Sequence, residues 1–163
     1  MEGLKKQLID LLEENARYTN AQLSAMTGVS EEDVARALKQ LQADGVIVKY
    51  AAILNTEALE NKKVQALVEV KVAPQKLKGF DSYAEEIYNF SEVQSLYLMS
   101  GGFDLAVFVD GQSITDIATF ISEKLSVIEG IVSVQTHFIL KKYKIEGQIT
   151  KPSDDGKRQA VHA

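Results

Sequence analysis

The chain has 163 residues, of which 45% are hydrophobic and 25% are charged, and its formal net charge is −5. These proportions are typical of a folded globular protein, and the acidic balance argues against indiscriminate binding to polyanions. The absence of cysteine excludes disulfides and thiolate metal sites and favours the cytoplasm, and no apolar run is long enough to span a membrane.

The first fifty residues have the pattern of three short amphipathic helices followed by a β-rich segment. Thr19 or Asn20 is a suitable N-cap for the second helix, and Gly28 can take the left-handed conformation that ends it. Ser30 is an N-cap for the third helix, and Asp44-Gly45 turns the chain into a β-rich run over 46–54 that is suited to a wing or bridging strand. This order predicts a winged helix-turn-helix, which lays one helix in the major groove of DNA.

The charge of this region is unusual for a DNA-binding domain, which generally carries a basic footprint. Residues 1–50 have six basic and eight acidic side chains, a net charge of −2. Glu31 and Glu32 open the third helix, and a carboxylate there opposes phosphate unless it accepts a hydrogen bond from a cytosine amino group. Solvated surface cations are the alternative interpretation of the basic residues. The residues that we predict to contact DNA are Ser30, Glu32, Arg36, Lys39, Gln40 and Arg17.

Beyond residue 63 the order is strand, helix, strand, strand, helix, strand. The strands are predicted over 64–72, 93–99, 103–109 and 132–140, and the helices begin near Asp81 and at Ser113. This βαββαβ order predicts an α+β, ferredoxin-like domain with both helices on one face of an antiparallel sheet. Several strands are apolar on both faces, so we expect the uncovered face to meet a second sheet in a homodimer.

The sequence therefore predicts four parts in the chain. Residues 1–50 form the DNA-binding domain, 51–63 a bridging strand and linker, and 64–146 the ferredoxin-like domain for dimerisation and effector binding. Residues 147–163 form a polar tail that we expect to be disordered.

A glycine-rich turn, Ser100-Gly101-Gly102, joins the second and third predicted strands in chain order and precedes Phe103-Asp104. Turn geometry alone explains the glycines. An acidic residue at the start of an apolar strand can hold a ligand ammonium group, or it can hydrogen-bond the turn. His137, on the last strand, is interpreted as a packed or surface residue rather than a catalyst.

Three segments of the chain together resemble the Lrp/AsnC family of transcriptional regulators, also named feast/famine or leucine-responsive regulatory proteins. They are LIDLLEENARYTNAQLSAMTGVSEEDVARALKQLQADGVI, the hairpin SGGFDLAVFV and the closing segment IEGIVSVQTHFILKKYK. The resemblance implies operator binding by the winged helix and a C-terminal domain that dimerises and often assembles further, to tetramers or octamers. It also implies a pocket for an amino acid or a related metabolite near the hairpin. The predicted effector-binding residues are Ser100, Gly101, Gly102, Phe103, Asp104 and Thr136.

The sequence departs from the family pattern in the third helix. Family members tend to carry adjacent basic residues there, and this chain has Ala35-Arg36-Ala37. We therefore expect each DNA-binding domain to bind weakly and affinity to come from several copies bound at once.

Three functions remain open from the sequence. The first is a sequence-specific, double-stranded-DNA-binding regulator whose assembly responds to a metabolite. The second is a related sensor or co-regulator with little DNA affinity. The third is an enzyme similar to the tetrapyrrole decarboxylases that share this layout, which is disfavoured because arginine occurs only at Arg17, Arg36 and Arg158. No cofactor, metal or catalytic residue is predicted, and the protein is not expected to be an enzyme.

Overall fold

A computed structural model describes residues 2–60, 62–73 and 79–150 of the chain. The chain divides into two compact units, with the boundary between Leu54 and Asn55. Most of the predicted tail, residues 151–163, lies outside the described residues. In the part of the chain that the structure describes, no helix is both long enough and apolar enough to cross a membrane.

The N-terminal unit consists of α1 (Glu2–Glu14), α2 (Asn20–Thr27) and α3 (Glu31–Ala43), as predicted. Thr19 caps α2 in a capping box with Gln22, and Gly28 ends it in the left-handed conformation with φ of 73°. Ser30 caps α3 by accepting from the backbone N–H of Asp33. The buried core that holds the three helices together consists of Leu8, Leu23, Val34, Ala37 and Leu41.

The run that follows α3 is not a strand in this chain. We predicted a wing or bridging strand from its β-rich sequence, but the described residues 46–55 belong to no sheet. Val46 and Tyr50 are about half exposed, and Val48 is almost completely exposed. A strand needs a neighbour for its backbone hydrogen bonds, and the single chain supplies none in its described part.

The second unit is built on a four-stranded antiparallel sheet with the order β2-β3-β1-β4. Its strands are β1 (Val64–Val72), β2 (Val93–Leu98), β3 (Leu105–Gly111) and β4 (Ile131–Phe138). Helix α4 (Phe80–Tyr88) follows β1, and α5 (Ile114–Phe120) follows β3 and continues as a π-helical turn over Ile121–Leu125. This is the ferredoxin-like arrangement that the element order predicted.

The two faces of the sheet differ in what covers them. The core beneath the helices includes Val68, Val70, Val107, Tyr83 and Ile117, all of which are buried. Residues that pair across an antiparallel sheet point to the same face, so the pairs Leu67–Phe108 and Tyr97–Ala106 belong to the opposite face. We call this second surface the open face.

A short hairpin follows the main sheet and contradicts the predicted start of the tail at residue 147. Strands β5 (Lys144–Ile145) and β6 (Gln148–Ile149) pair with each other. The turn residues Glu146 and Gly147 have φ of 44° and 79°, and two successive positive φ angles are typical of a two-residue hairpin turn. The segment is also held by Asn55, whose Nδ2 donates to the Thr150 carbonyl at 2.9 Å.

Candidate DNA-binding and ligand-binding sites

Helix α3 presents a mixed-charge face away from its core. Val34, Ala37 and Leu41 are buried on one side. At 3.6 residues per turn, the opposite side carries Glu32, Arg36 and Lys39, and all three are exposed. Three of the six residues predicted to contact DNA therefore share the outward face of one helix.

Arg36 is engaged by two carboxylates of its own helix. Its Nη2 lies 3.3 Å from Glu32 Oε1, and its Nη1 lies 2.9 Å from Asp33 Oδ1. The Arg36 side chain is nevertheless 64% exposed, and exposed ion pairs of this kind contribute little free energy. The guanidinium is thus locally neutralised but can exchange its partners for a phosphate or a base.

The sequence indicated Asp33 as the partner of the Ser30 cap, but the ion pair of Asp33 with Arg36 was not predicted. Its Oδ2 accepts from Ser30 Oγ at 2.7 Å, while its Oδ1 binds Arg36. The signal was present, because residues three apart on a helix are neighbours on its surface. Asp33 thus connects the helix cap at Ser30 with Arg36.

Of the remaining predicted DNA contacts, Gln40 lies on α3 next to Lys39, Ser30 lies directly before α3, and Arg17 lies in another loop. Gln40 donates through Nε2 to Asp44 Oδ1 at 2.6 Å. Lys5 donates to the other oxygen of Asp44 at 3.0 Å. The hydrogen bond from Lys5, and after it the one from Gln40, lowers the pKa of Asp44 from its ordinary value. Arg17 is exposed in the loop between α1 and α2, where its backbone N–H donates to Asn15 Oδ1 at 3.0 Å.

The residues predicted to bind the effector begin at the exposed turn between β2 and β3. Ser100, Gly101 and Gly102 are exposed, and Phe103 and Asp104 are partly buried. Met99 and Asp104 close the hairpin, with the backbone N–H of Met99 donating to the Asp104 carbonyl at 2.8 Å.

Asp104 binds the neighbouring strand. Its Oδ2 accepts from the backbone N–H of Val72 at 2.9 Å, and its own backbone N–H donates to the Val70 carbonyl at 3.0 Å. The sequence left open whether this carboxylate would bind the turn or a ligand. Oδ2 instead binds the backbone at the end of β1, and Oδ1 takes part in neither of these two hydrogen bonds.

Thr136 is separate from the hairpin within one chain. It pairs with Val68 on β1, four residues from the Val72 position that Asp104 contacts. At the usual rise of a strand this separation is about 13 Å along the sheet. His137, the next residue, lies on the open face with Nε2 3.2 Å from Glu69 Oε1.

A cavity of about 300 Å³ opens between α4 and β2, beside the flanks of the hairpin. Leu98 and Leu105, which flank the hairpin, contribute to its wall together with Phe80 and Tyr88. The residues that line this cavity do not include the six predicted effector-binding residues. The hairpin and this cavity are therefore neighbouring but distinct features.

Comparison with known proteins agrees with the two-unit fold. Residues 1–48 match the winged helix-turn-helix DNA-binding family, and residues 65–149 match the Lrp/AsnC ligand binding domain. The chain belongs to the Lrp/AsnC family of transcriptional regulators. This membership confirms the resemblance found in the sequence, together with the predicted fold and the class of a DNA-binding regulator with a ligand-binding domain.

Individual relatives extend over nearly the whole chain. The uncharacterized HTH-type transcriptional regulator YugG of Bacillus subtilis strain 168 is 40% identical over 95% of this chain and 94% of its own length. A transcriptional regulator of Neisseria meningitidis, solved in complex with L-methionine, is 26% identical with a TM-score of 0.67, covering 93% of this chain and 96% of that one.

The leucine response regulatory protein LrpA of Mycobacterium tuberculosis shares the fold, with a TM-score of 0.74 at 20% identity over 91% of this chain and 98% of that one. The relatives carry the names of regulators, which confirms the prediction that the protein is not an enzyme.

Proposed function

We propose that this regulator reads specific operator sequences in the cytoplasm with α3 and that it binds DNA as a multivalent homo-oligomer. The observation that carries the proposal is the pairing of Arg36 with Glu32 and Asp33 on the outward face of α3. Glu32 and Asp33 beside Arg36 reduce the net positive charge that one reading helix presents to phosphate. Two or more linked copies restore affinity by raising the effective concentration of the second contact.

On this proposal the six predicted DNA contacts have different roles. Arg36 and Lys39 bind phosphate or guanine, Glu32 pairs with Arg36 on the reading face and opposes phosphate there, and Gln40 and Arg17 bind the backbone at the edges of the contact. Ser30 holds the start of the helix through its cap.

The open face of the sheet supports the homodimer. It carries Leu67 and Ala106 next to Phe108, whose ring meets that of Tyr97 edge to face at 6.0 Å. The helices α4 and α5 of this unit pack on the other face of the sheet, so a second copy of the sheet is the simplest complement. We propose further assembly to a tetramer or octamer, which would add reading helices.

An amino acid or a related metabolite is the proposed effector, bound at Ser100, Gly101, Gly102, Phe103, Asp104 and Thr136. The match to a ligand binding domain and the L-methionine complex of the Neisseria meningitidis relative support this choice. Asp104 Oδ1 would accept from the ligand ammonium while Oδ2 keeps its bond to Val72. Because Thr136 is remote from the hairpin of its own chain, a site that uses both would take them from two copies.

Effector binding would then act on assembly. A ligand that binds between two copies stabilises the oligomer in which its binding site is complete. The affinity for DNA then depends on which oligomer is populated. The protein would respond to metabolite concentration by changing how many reading helices are linked.

A gel-shift titration with the protein's own promoter region, repeated over a salt series, tests this function. The expected result is a discrete complex whose affinity falls steeply with salt, because phosphate contacts release counterions. Sedimentation of the same samples with and without each amino acid reports the coupling to assembly.

The pairing of Arg36 also favours a second candidate, a sensor or co-regulator with little DNA affinity of its own. This candidate would leave the promoter unbound at moderate salt while an amino acid still changed the sedimentation of the protein.

A further inference from the structure

Four lysines line one cavity at the end of the sheet that is remote from Asp104. The cavity has a volume of about 320 Å³, and its walls include Lys62, Lys63, Lys141 and Lys142. The topology brings them together: Lys62 and Lys63 precede β1, and Lys141 and Lys142 follow β4. Since β1 and β4 are antiparallel neighbours, the start of one strand and the end of the other meet at one edge. We call this feature the basic cavity.

The contacts of Lys63 and Lys141 compensate their charges only weakly. Lys63 Nζ lies 3.9 Å from Asp110 Oδ2, a long contact, and the other oxygen of Asp110 accepts from Gln65 Nε2 at 2.6 Å. Lys141 Nζ lies 5.2 Å above the ring of Tyr143. Among the described side chains that line the cavity, none is acidic. Lysines that line one cavity repel each other, and a bound anion would relieve that repulsion.

The other walls of the basic cavity are mainly apolar. They are formed by Val64, Ile114, Phe138, Ile139 and Leu140, together with the polar residues Thr56 and Gln65. A surface that binds the phosphates of a nucleic acid needs exposed cations and does not need apolar residues between them. Small-molecule sites combine an apolar lining with a few polar groups. The volume also falls at the lower end of the range of small-ligand pockets.

We infer that the basic cavity is a second ligand site, which binds a small organic anion carrying an apolar group and a phosphate or carboxylate. Its lysines hold the charged group, and the wall of Ile114, Phe138 and Leu140 holds the apolar group. The basic cavity lies at the start of β1, beside Val64, whereas Asp104 contacts the other end of β1 at Val72. The site is thus separate from the proposed amino-acid site, and it does not depend on that proposal.

The test uses the full-length protein and three probes in isothermal titration calorimetry at constant ionic strength. Hexyl phosphate carries both an apolar chain and a divalent anion, inorganic phosphate lacks the chain, and hexylammonium has the wrong charge. We expect hexyl phosphate to bind most tightly, inorganic phosphate more weakly, and hexylammonium not at all.

Two variants and one matched control assign the binding to the basic cavity. The double variant Lys141→Gln/Lys142→Gln should weaken hexyl phosphate binding by about tenfold or more, since it removes two charged hydrogen-bond donors. Ile114→Ser should weaken hexyl phosphate and leave inorganic phosphate unchanged. Lys144→Gln removes one positive charge from a residue of the same segment that does not line the cavity, and it should leave both affinities unchanged.

Several outcomes would overturn the inference. One is equal binding of hexyl phosphate and hexylammonium, and another is an equal loss in Lys144→Gln and in the double variant. If the double variant weakens promoter binding while hexyl phosphate does not bind the unmodified protein, the lysines contact DNA phosphate and the cavity is no small-molecule site. Urea unfolding of each variant, with an unchanged midpoint, confirms that a loss of binding is not a loss of folding.

Discussion

The hydroxyl group of Tyr83 occupies the space that a side chain at Gly130 would need. Gly130 precedes β4 with φ of +95°, and its carbonyl accepts from the backbone N–H of Ala73 at 2.8 Å. Tyr83, buried on α4, donates in turn to the Ala73 carbonyl at 3.3 Å. The close approach of α4 to the loop before β4 thus depends on the missing Cβ.

Gly130→Ala is expected to destabilise the protein by about 3 kcal/mol, because a left-handed conformation and steric overlap act together. Gly147→Ala is the matched control: φ is +79° and no atom lies within 4 Å of the added Cβ, so only the strain of about 1 kcal/mol applies. Urea unfolding measures both. Equal losses in the two variants would show that Tyr83 does not restrict position 130.

Glu32→Gln is expected to tighten promoter binding a few-fold, because it removes a carboxylate from the reading face and one of the two partners of Arg36. Glu14→Gln makes the same charge change at the end of α1 and controls for net charge. Gel shifts at several salt concentrations compare the variants. Weaker binding of Glu32→Gln would indicate that Glu32 itself accepts a hydrogen bond from a base.

Asp104→Asn separates the two roles of this residue. The amide oxygen can still accept from the Val72 N–H, so the midpoint of urea unfolding should stay close to that of the unmodified protein. Binding of an amino-acid ammonium should be lost, because the charge is gone. A thermal-shift screen of the twenty amino acids on both proteins provides the measurement. An unchanged shift in the variant would remove Asp104 from the effector site.

Phe108→Arg is expected to break the homodimer, since it places a charge in the middle of the open face. Val127→Arg is the control, because Val127 is 68% exposed and follows the π-helical turn outside the sheet. Sedimentation velocity should show a monomer only for the first variant. A dimer that survives Phe108→Arg would place the interface on another surface.

The parts of the fold that were predicted correctly are those encoded by neighbouring residues. Thr19, Ser30 and Ser113 act as caps within three residues of their partners, and the apolar periods set the order of helices and strands. The turn at Glu146-Gly147 was also local, but it was overlooked in a polar segment that has no apolar period. The π-helical turn after Phe120 has no counterpart in the sequence pattern that we used.

The candidate sites were predicted less well, because they depend on pairings that spacing does not define. The run over 46–54 has the composition of a strand but no partner in the described chain. Thr136 and Asp104 were grouped by the resemblance to the family, and the register of β4 on β1 separates them within one chain. The basic cavity was not predicted at all, since its lysines come from two segments almost eighty residues apart in sequence.

The turn between α2 and α3 is held by hydrogen bonds at its start, in its middle and at its end. Gly28 ends one helix, Ser24 Oγ donates to the Val29 carbonyl at 2.5 Å, and Ser30 begins the next helix through Asp33. We expect a module held in this way to keep the same shape when an effector binds. Any signal that reaches DNA must then be encoded in the distance between identical modules, so operators for this protein should differ in the phasing of their half-sites more than in the bases within them.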